Sequence, residues 1–312
     1  MSGRSVRVAF TLDPSREAGG GSYSFARLMA RHLPTFGVTV THTPWRPCDA
    51  VLVFANVGSR PMLRFRRWRG TRIVHRLDER IDPHEDAARA RKHAHLLALN
   101  ALADVSVFQS RFVATNVGPR TTAPRSIVIH NGVDTSRFAP TGSRRMLDGT
   151  PRILHASWSV GSSKRLDRLD ELVRVLPSDA RVYLAGRHRE APGTRSGDPR
   201  VTYLGPQDSD AMAVLMRSVD ALFFPSEDDP CPNTILEAMA SGLPALYHPS
   251  GGTPELVGDA GVPLTGDLAA DVDRLLTSRP TLARLGRERA CTEFSAERVA
   301  ERYARVLTGT EP

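Results

Sequence analysis

The sequence predicts an α/β protein of two similar halves, each a parallel sheet covered by helices, and two observations carry that prediction. Short, nearly continuous apolar runs alternate with longer stretches of helical spacing, the signature of βαβ units whose strands are buried on both faces. A stretch containing Pro, Gly and Ser but no apolar periodicity, Phe138 to Pro151, separates the halves and puts the boundary near residue 148. In the first half the strand-like runs are Val6 to Leu12, Gly37 to Thr41, Ala50 to Phe54, Arg72 to His75, Val105 to Gln109 and Ser126 to His130. In the second they are Arg152 to Ala156, Arg181 to Ala185, Val201 to Leu204, Ala221 to Pro225, Pro244 to Tyr247 and Gly261 to Pro263. The final segment puts Val299, Tyr303, Val306 and Leu307 on one helical face, with Ser295 as its cap. The expected organisation is 1–147, 148–294 and a C-terminal helix over 295–312.

Composition narrows the classes. At 312 residues, 40% hydrophobic and 24% charged, the chain is an ordinary globular protein, which excludes disorder and coiled coil. Of 42 basic residues only Lys92 and Lys164 are lysine, the skew of a GC-rich coding genome, and the net charge is +8. The arginines run along the whole chain, aromatic residues are 6%, and no nucleic-acid recognition module is visible, so nucleic acid is not an expected partner. Three scattered cysteines, Cys48, Cys231 and Cys291, make neither a disulfide framework nor a metal pair and suit a reducing cytoplasm. No apolar run approaches the roughly 18 residues of a membrane span. A soluble protein, or one peripheral on the inner membrane face, is expected. The basic stretch Ser59 to Arg69 could lean on anionic lipid, although a half-buried helix with a solvated arginine side is the favoured reading.

The densest chemistry lies in Phe224-Pro-Ser-Glu227-Asp228-Asp229-Pro-Cys-Pro-Asn233-Thr234-Ile-Leu-Glu237-Ala-Met-Ala-Ser-Gly-Leu-Pro244. A strand ends, a turn rich in Asp and Pro follows, and a helix begins with Asn233 as its expected N-cap. The free N–H groups of such a helix start suit phosphate, and Glu237, one turn in, can accept hydrogen bonds from sugar hydroxyls. Nucleotide sugars present both groups. Two Asp-x-Asp triplets could suggest a metal, but Asp208-Ser-Asp210 is better read as a helix cap and Asp271-Val-Asp273 as part of a surface helix, so no metal ligand is assigned.

Asp229, seven residues, then Glu237-Ala-Met-Ala-Ser-Gly-Leu-Pro resembles the Glu-x7-Glu signature of family 4 glycosyltransferases, with Asp-Pro-Cys-Pro-Asn as a variant of its first half. Other segments agree in order. His248 to Val257 is similar to a Gly-Gly-x-Pro-Glu-Leu turn, Ile129-His-Asn131-Gly132-Val-Asp134 to the turn that closes the first domain, and Val74-His75-Arg76-Leu77-Asp78 to a His-Arg-x-Asp motif. The resemblance implies a GT-B fold of two Rossmann-like domains facing across a cleft, with the last helix returning to the first domain. It implies a retaining, metal-independent enzyme that moves a sugar from a nucleotide-diphosphate donor to a hydroxyl on a saccharide, lipid-linked or natural-product acceptor, with no cofactor. Nucleotide-sugar epimerase or hydrolase chemistry on the same fold is the enzymatic alternative, and a basic nucleic-acid-binding protein the alternative from another class.

Carried over by position, Asp229 contacts the transferred sugar, with Glu227 able to share that contact, and Glu237 holds the ribose beside Asn233 and Thr234. Lys164 neutralises the diphosphate. Ser159 stands at an arginine position, for which Arg165 or Arg168 could substitute. Tyr203 and Leu204 border the base, Gly20, Gly21 and Ser22 belong to a loop closing over the donor, and His75 is catalytic with Asp78 on the acceptor side.

Overall fold

A computed structural model of the chain describes residues 5–16, 20–82, 86–158, 161–187 and 197–310. It forms two compact units, Met1–Gly132 with Ala296–Pro312, and Val133–Ser295. In the first, β1 (Val6–Phe10), α1 (Gly21–His32), β2 (Val38–Thr41), β3 (Ala50–Phe54), α2 (Arg60–Trp68), β4 (Arg72–Leu77), α3 (Ala87–Asn100), β5 (Val105–Phe108), α4 (Arg111–Val117) and β6 (Arg125–Val128) alternate. The second contains β7 (Arg152–Ser157), α5 (Arg168–Val175), β8 (Arg181–Gly186), β9 (Val201–Gly205), α6 (Ser209–Ser218), β10 (Ala221–Phe224), α7 (Asn233–Ala240), β11 (Ala245–Tyr247), α8 (Thr253–Val257), β12 (Gly261–Pro263) and α9 (Leu268–Glu293). The last helix, α10 (Ala296–Thr308), belongs to the first unit. Every expected strand is present.

Among the described residues each unit holds one six-stranded sheet with parallel pairing throughout, ordered β2-β1-β3-β4-β5-β6 and β12-β11-β10-β7-β8-β9. Strand order therefore reverses between β1 and β3 in one unit and between β7 and β10 in the other. At such a reversal the loops leave in opposite directions, and the space beyond the strands' carboxyl ends is where α/β sheets bind ligands.

The strands are legible because they are dry: β3 and β5 are buried at every position. Val299, Tyr303, Val306 and Leu307 of α10 are buried against the same core as Phe25 of α1, whose ring lies 5.2 Å from that of Tyr303. Each such side chain contributes about 1.5–3 kcal/mol on full burial.

The contacts divide the chain at Gly132, some way ahead of the expected break at 147/148. Val133 and Phe138 sit in the second unit's core, and the Arg287 guanidinium donates to the carbonyls of Thr135, Phe138 and Ala240 at 3.0, 2.8 and 2.7 Å. A segment held by arginine-to-carbonyl bonds carries no apolar period, which is why it reads as a linker. The Asn131-Gly132 pair is not a turn either: Asn131 is buried, and the following turn is built by Asp134, which accepts from the Ser136 and Arg137 amides. Asp271 is likewise no surface residue. It lies buried in α9 and accepts from the amide and hydroxyl of Thr265. Asp208 does cap its helix, accepting from the Ala211 amide.

Candidate functional site

At the β7/β10 reversal of the second unit, the loops that leave both strands are joined by charge. The Lys164 ammonium donates to Asp229 Oδ2 at 2.7 Å, with side chains 18% and 16% exposed. Beside them Arg165 pairs with Glu227 and with Asp167, the Glu227 amide donates to the Ser163 carbonyl at 2.8 Å, and the His248 ring stands 3.7 Å from Glu227. Arg168 pairs instead with Glu171 in its own helix, so Arg165 is the arginine that joins the cluster. Ser159 lies outside the described residues.

The backbone under the acids is shaped by tight contacts. Asp228 has φ 53, a left-handed conformation, and its amide donates to Ser250 Oγ at 2.9 Å. Gly251 has φ 68, and a Cβ there would come within 2.6 Å of the Asp229 carbonyl oxygen and 2.7 Å of its amide nitrogen. Both the conformation and the space demand glycine. Gly251 thus sets the height of Asp229 from a distant loop, a role sequence reading leaves inside a turn motif.

The helix that follows begins one residue earlier than a capping Asn233 requires. Pro232 occupies the cap position without a side-chain bond, and Asn233 is the first helical residue with Thr234 next. Proline has no amide hydrogen and cannot lengthen the helix backward, so the first free N–H groups belong to Asn233 and its successors. Glu237 lies one turn inside. It is a half-buried residue whose carboxyl is pushed up to about 8 by burial, with Arg137 pulling the other way, so it is largely protonated at neutral pH. Tyr203 and Leu204, on the edge strand β9, are half-buried against cores on opposite faces of the sheet.

The first unit has its own cluster around the end of β4. Asp78 accepts from Ser22 Oγ at 2.6 Å and pairs with the buried Arg76, so the structure brings together the predicted Ser22 and Asp78. Arg76 also donates to Gln109 Oε1 and Asn131 Oδ1, each at 2.9 Å, and its guanidinium lies 4.2 Å from the Phe25 ring centre. One arginine thus ties β4, β5, α1 and the end of the sheet. Gly20, with φ 108, turns the chain into α1, which Gly21 and Ser22 open.

His75, for which the resemblance implies a catalytic role, is enclosed at the end of β3. Its ring is fully buried, 2.6 Å through Nε2 from the carbonyl of Ala55 and 3.3 Å through Nδ1 from the Asn100 amide, which also donates to Ser106. Burial lowers its pKa to about 4. A neutral imidazole with Nε2–H donating and Nδ1 accepting satisfies both contacts, leaving no nitrogen for a substrate. It braces Ala55, whose φ of 44 bends the chain at the end of β3. Asn100 and Gln109 carry no local signal in the sequence, since both sit in otherwise helical or strand-like runs.

The family model described as Glycosyl transferases group 1 matches residues 153–278, within the second unit. Among curated proteins, a GDP-mannose-dependent alpha-mannosyltransferase of Mycobacterium tuberculosis is 26% identical over 172 residues, 53% of this chain and 43% of that protein. The sulfoquinovosyl transferase SQD2 of Arabidopsis thaliana is 26% identical over 66% of this chain and 42% of its own length. The chain thus spans less than half the length of these relatives. Among solved structures, sucrose-phosphate synthase from Thermosynechococcus elongatus superimposes with a TM-score of 0.81 at 18% identity, over 98% of this chain and 99% of that one. Anabaena HepE in complex with UDP-glucose gives 0.75 at 17% identity over 97% and 100%. The fold is GT-B, and the relatives by sequence and by structure are glycosyltransferases.

Proposed function

We propose that the chain transfers a sugar from a nucleotide-diphosphate donor to a hydroxyl acceptor, with retention at the anomeric carbon and without a metal ion. The observation that carries this reading is the Lys164–Asp229 pair at the β7/β10 reversal, in the loop that leads into the free N–H groups of α7. Breaking the anomeric bond leaves positive charge on the sugar and negative charge on the diphosphate. The Lys164 ammonium, Arg165 and the start of α7 supply fixed positive charge for the diphosphate, in place of a cation. The Asp229 carboxylate, freed as Lys164 turns to phosphate, faces the sugar, with Glu227 beside it. Glu237 accepts from the ribose hydroxyls once ionised. The acceptor hydroxyl gives its proton to the departing phosphate oxygen as it attacks from the same face.

The matched family model and the curated mannosyl- and sulfoquinovosyltransferases support the reaction class, and the HepE complex with UDP-glucose supports the donor class. The test is a thermal-shift screen with UDP, GDP, ADP and dTDP in the presence of a chelator. One of them is expected to raise the melting temperature of the wild-type chain and to do nothing for Lys164→Ala. Indifference of the wild-type chain to all four nucleotides would sink the proposal, and so would sugar released from the matching donor to water alone, with no acceptor ever glycosylated.

A further inference from the structure

The first unit carries a surface that the donor chemistry does not use. Helix α2 turns Met62, Leu63 and the stem of Arg66 into the core. At 100° per residue, the direction opposite that buried stripe is held by Trp68, with Arg64 on one side and Phe65 on the other. Trp68 is 77% exposed and Phe65 42% exposed, their ring centres 6.1 Å apart. The Arg66 guanidinium, reaching sideways, donates to the carbonyls of Pro44 and Arg46, so the loop that carries Trp45, 63% exposed, lies against the same helix. Arg46 of that loop and Arg60, Arg64 and Arg69 of the helix and its end are all exposed. Among the described residues none of the four is ion-paired, and Arg69 leans over the Trp68 ring at 6.0 Å.

The surrounding sequence makes the charge one-sided. Of the ten arginines from Ala18 to Leu77, Arg66 and Arg76 are buried, Arg76 against Asp78, and the one acidic residue of the segment, Asp49, accepts from the Arg7 amide through its carboxylate. A large aromatic ring at the middle of a helix's solvent face gives up the hydrophobic gain of its own burial, which is retained where another phase covers it.

We propose that this face docks on the surface of an anionic lipid bilayer, Trp68, Phe65 and Trp45 entering the headgroup boundary while Arg46, Arg60, Arg64 and Arg69 meet lipid phosphates. The pattern is that of a helix lying in the interface plane, Trp68 and Arg64 near the middle of its solvent face with Phe65 and further arginines to either side. A second copy of this chain fits poorly, because a self-complementary contact sets these arginines against each other. Single-stranded nucleic acid is bound in charged grooves with stacking platforms, whereas these rings stand on the outer face of a helix.

The test is co-sedimentation of the full chain with vesicles of phosphatidylcholine, alone or with one third phosphatidylglycerol. The wild-type chain is expected to sediment with the anionic vesicles only, and less so as salt is raised. Arg60→Ala and Arg64→Ala should each weaken binding about fivefold, and Trp68→Ser about tenfold or more. Trp158→Ser, which removes an exposed tryptophan of the second unit, should leave it unchanged. Equal binding to neutral vesicles would overturn the proposal, as would failure of the wild-type chain to bind anionic ones. It would also fall if a single-stranded oligonucleotide displaced the vesicles and lost affinity with the same three variants.

Discussion

The two units place charged residues at corresponding ends of their sheets and use them oppositely. At β7/β10, Lys164, Asp229, Arg165 and Glu227 are partly open to solvent and pair with one another across two loops. At the end of β4, Arg76 is sealed beneath Phe25 and shared among Asp78, Gln109 and Asn131. An ion pair near solvent costs little to exchange for a phosphate, since water screens both states. A buried arginine cannot leave its partners without stranding a charge. The first arrangement suits binding and the second suits holding a shape.

The largest effect that would break this contrast is on stability. Arg76→Met should cost about 3–5 kcal/mol in urea unfolding, because it leaves Asp78 without its buried partner. A loss within the range of ordinary surface substitutions would show that Arg76 is no brace. Next, Lys164→Ala should lower the rate of sugar transfer about 100- to 1,000-fold while the melting temperature holds, as expected for a group that acts on developing charge. Gly251→Ala should be milder, about tenfold in kcat/KM, because a Cβ there meets the Asp229 carbonyl oxygen at 2.6 Å and displaces that backbone, in addition to roughly 1–2 kcal/mol of left-handed strain. Gly37→Ala, also at a positive φ but with open space around it, controls for the strain alone and should leave transfer unchanged.

The smallest effects are in pH dependence, and they carry opposite signs. His75, near 4 when folded against 6.5 when free, binds fewer protons in the folded state between those values. Its contribution to stability is whole above pH 6.5 and is lost as pH falls toward 4. Glu237, near 8 against 4.5, binds more protons when folded, so stability declines as pH rises from 4.5 to 8. Urea midpoints of His75→Gln should lose the rise between pH 4 and 6.5, and those of Glu237→Gln the decline between pH 4.5 and 8, so that where the windows overlap the two variants shift the profile in opposite directions. Nucleotide binding near pH 7 should also release a proton from Glu237, measurable by calorimetry in buffers of different ionisation enthalpy.

The strands were readable because parallel sheets bury both faces, so each strand is a run of apolar residues whatever its neighbours. The pairing of Lys164 with Asp229 was half readable: the motif named both residues, but not that they meet. Asn233 was misjudged because a cap depends on where Pro232 places the chain. The surroundings of His75 were not readable, because they are supplied by Ala55 and Asn100, residues distant in sequence and silent in pattern.

Local periodicity and spacing therefore determined the α/β class, the strands, the last helix and the acidic loop before α7, since each depends on residues within a turn or two of one another. The tertiary structure alone decided the division at Gly132, the closed hydrogen-bonding of His75, the support of Asp229 by Gly251 and the outward Trp68 beside exposed arginines. These depend on which distant backbone comes within a few ångströms of a side chain, and packing sets that distance, not pattern.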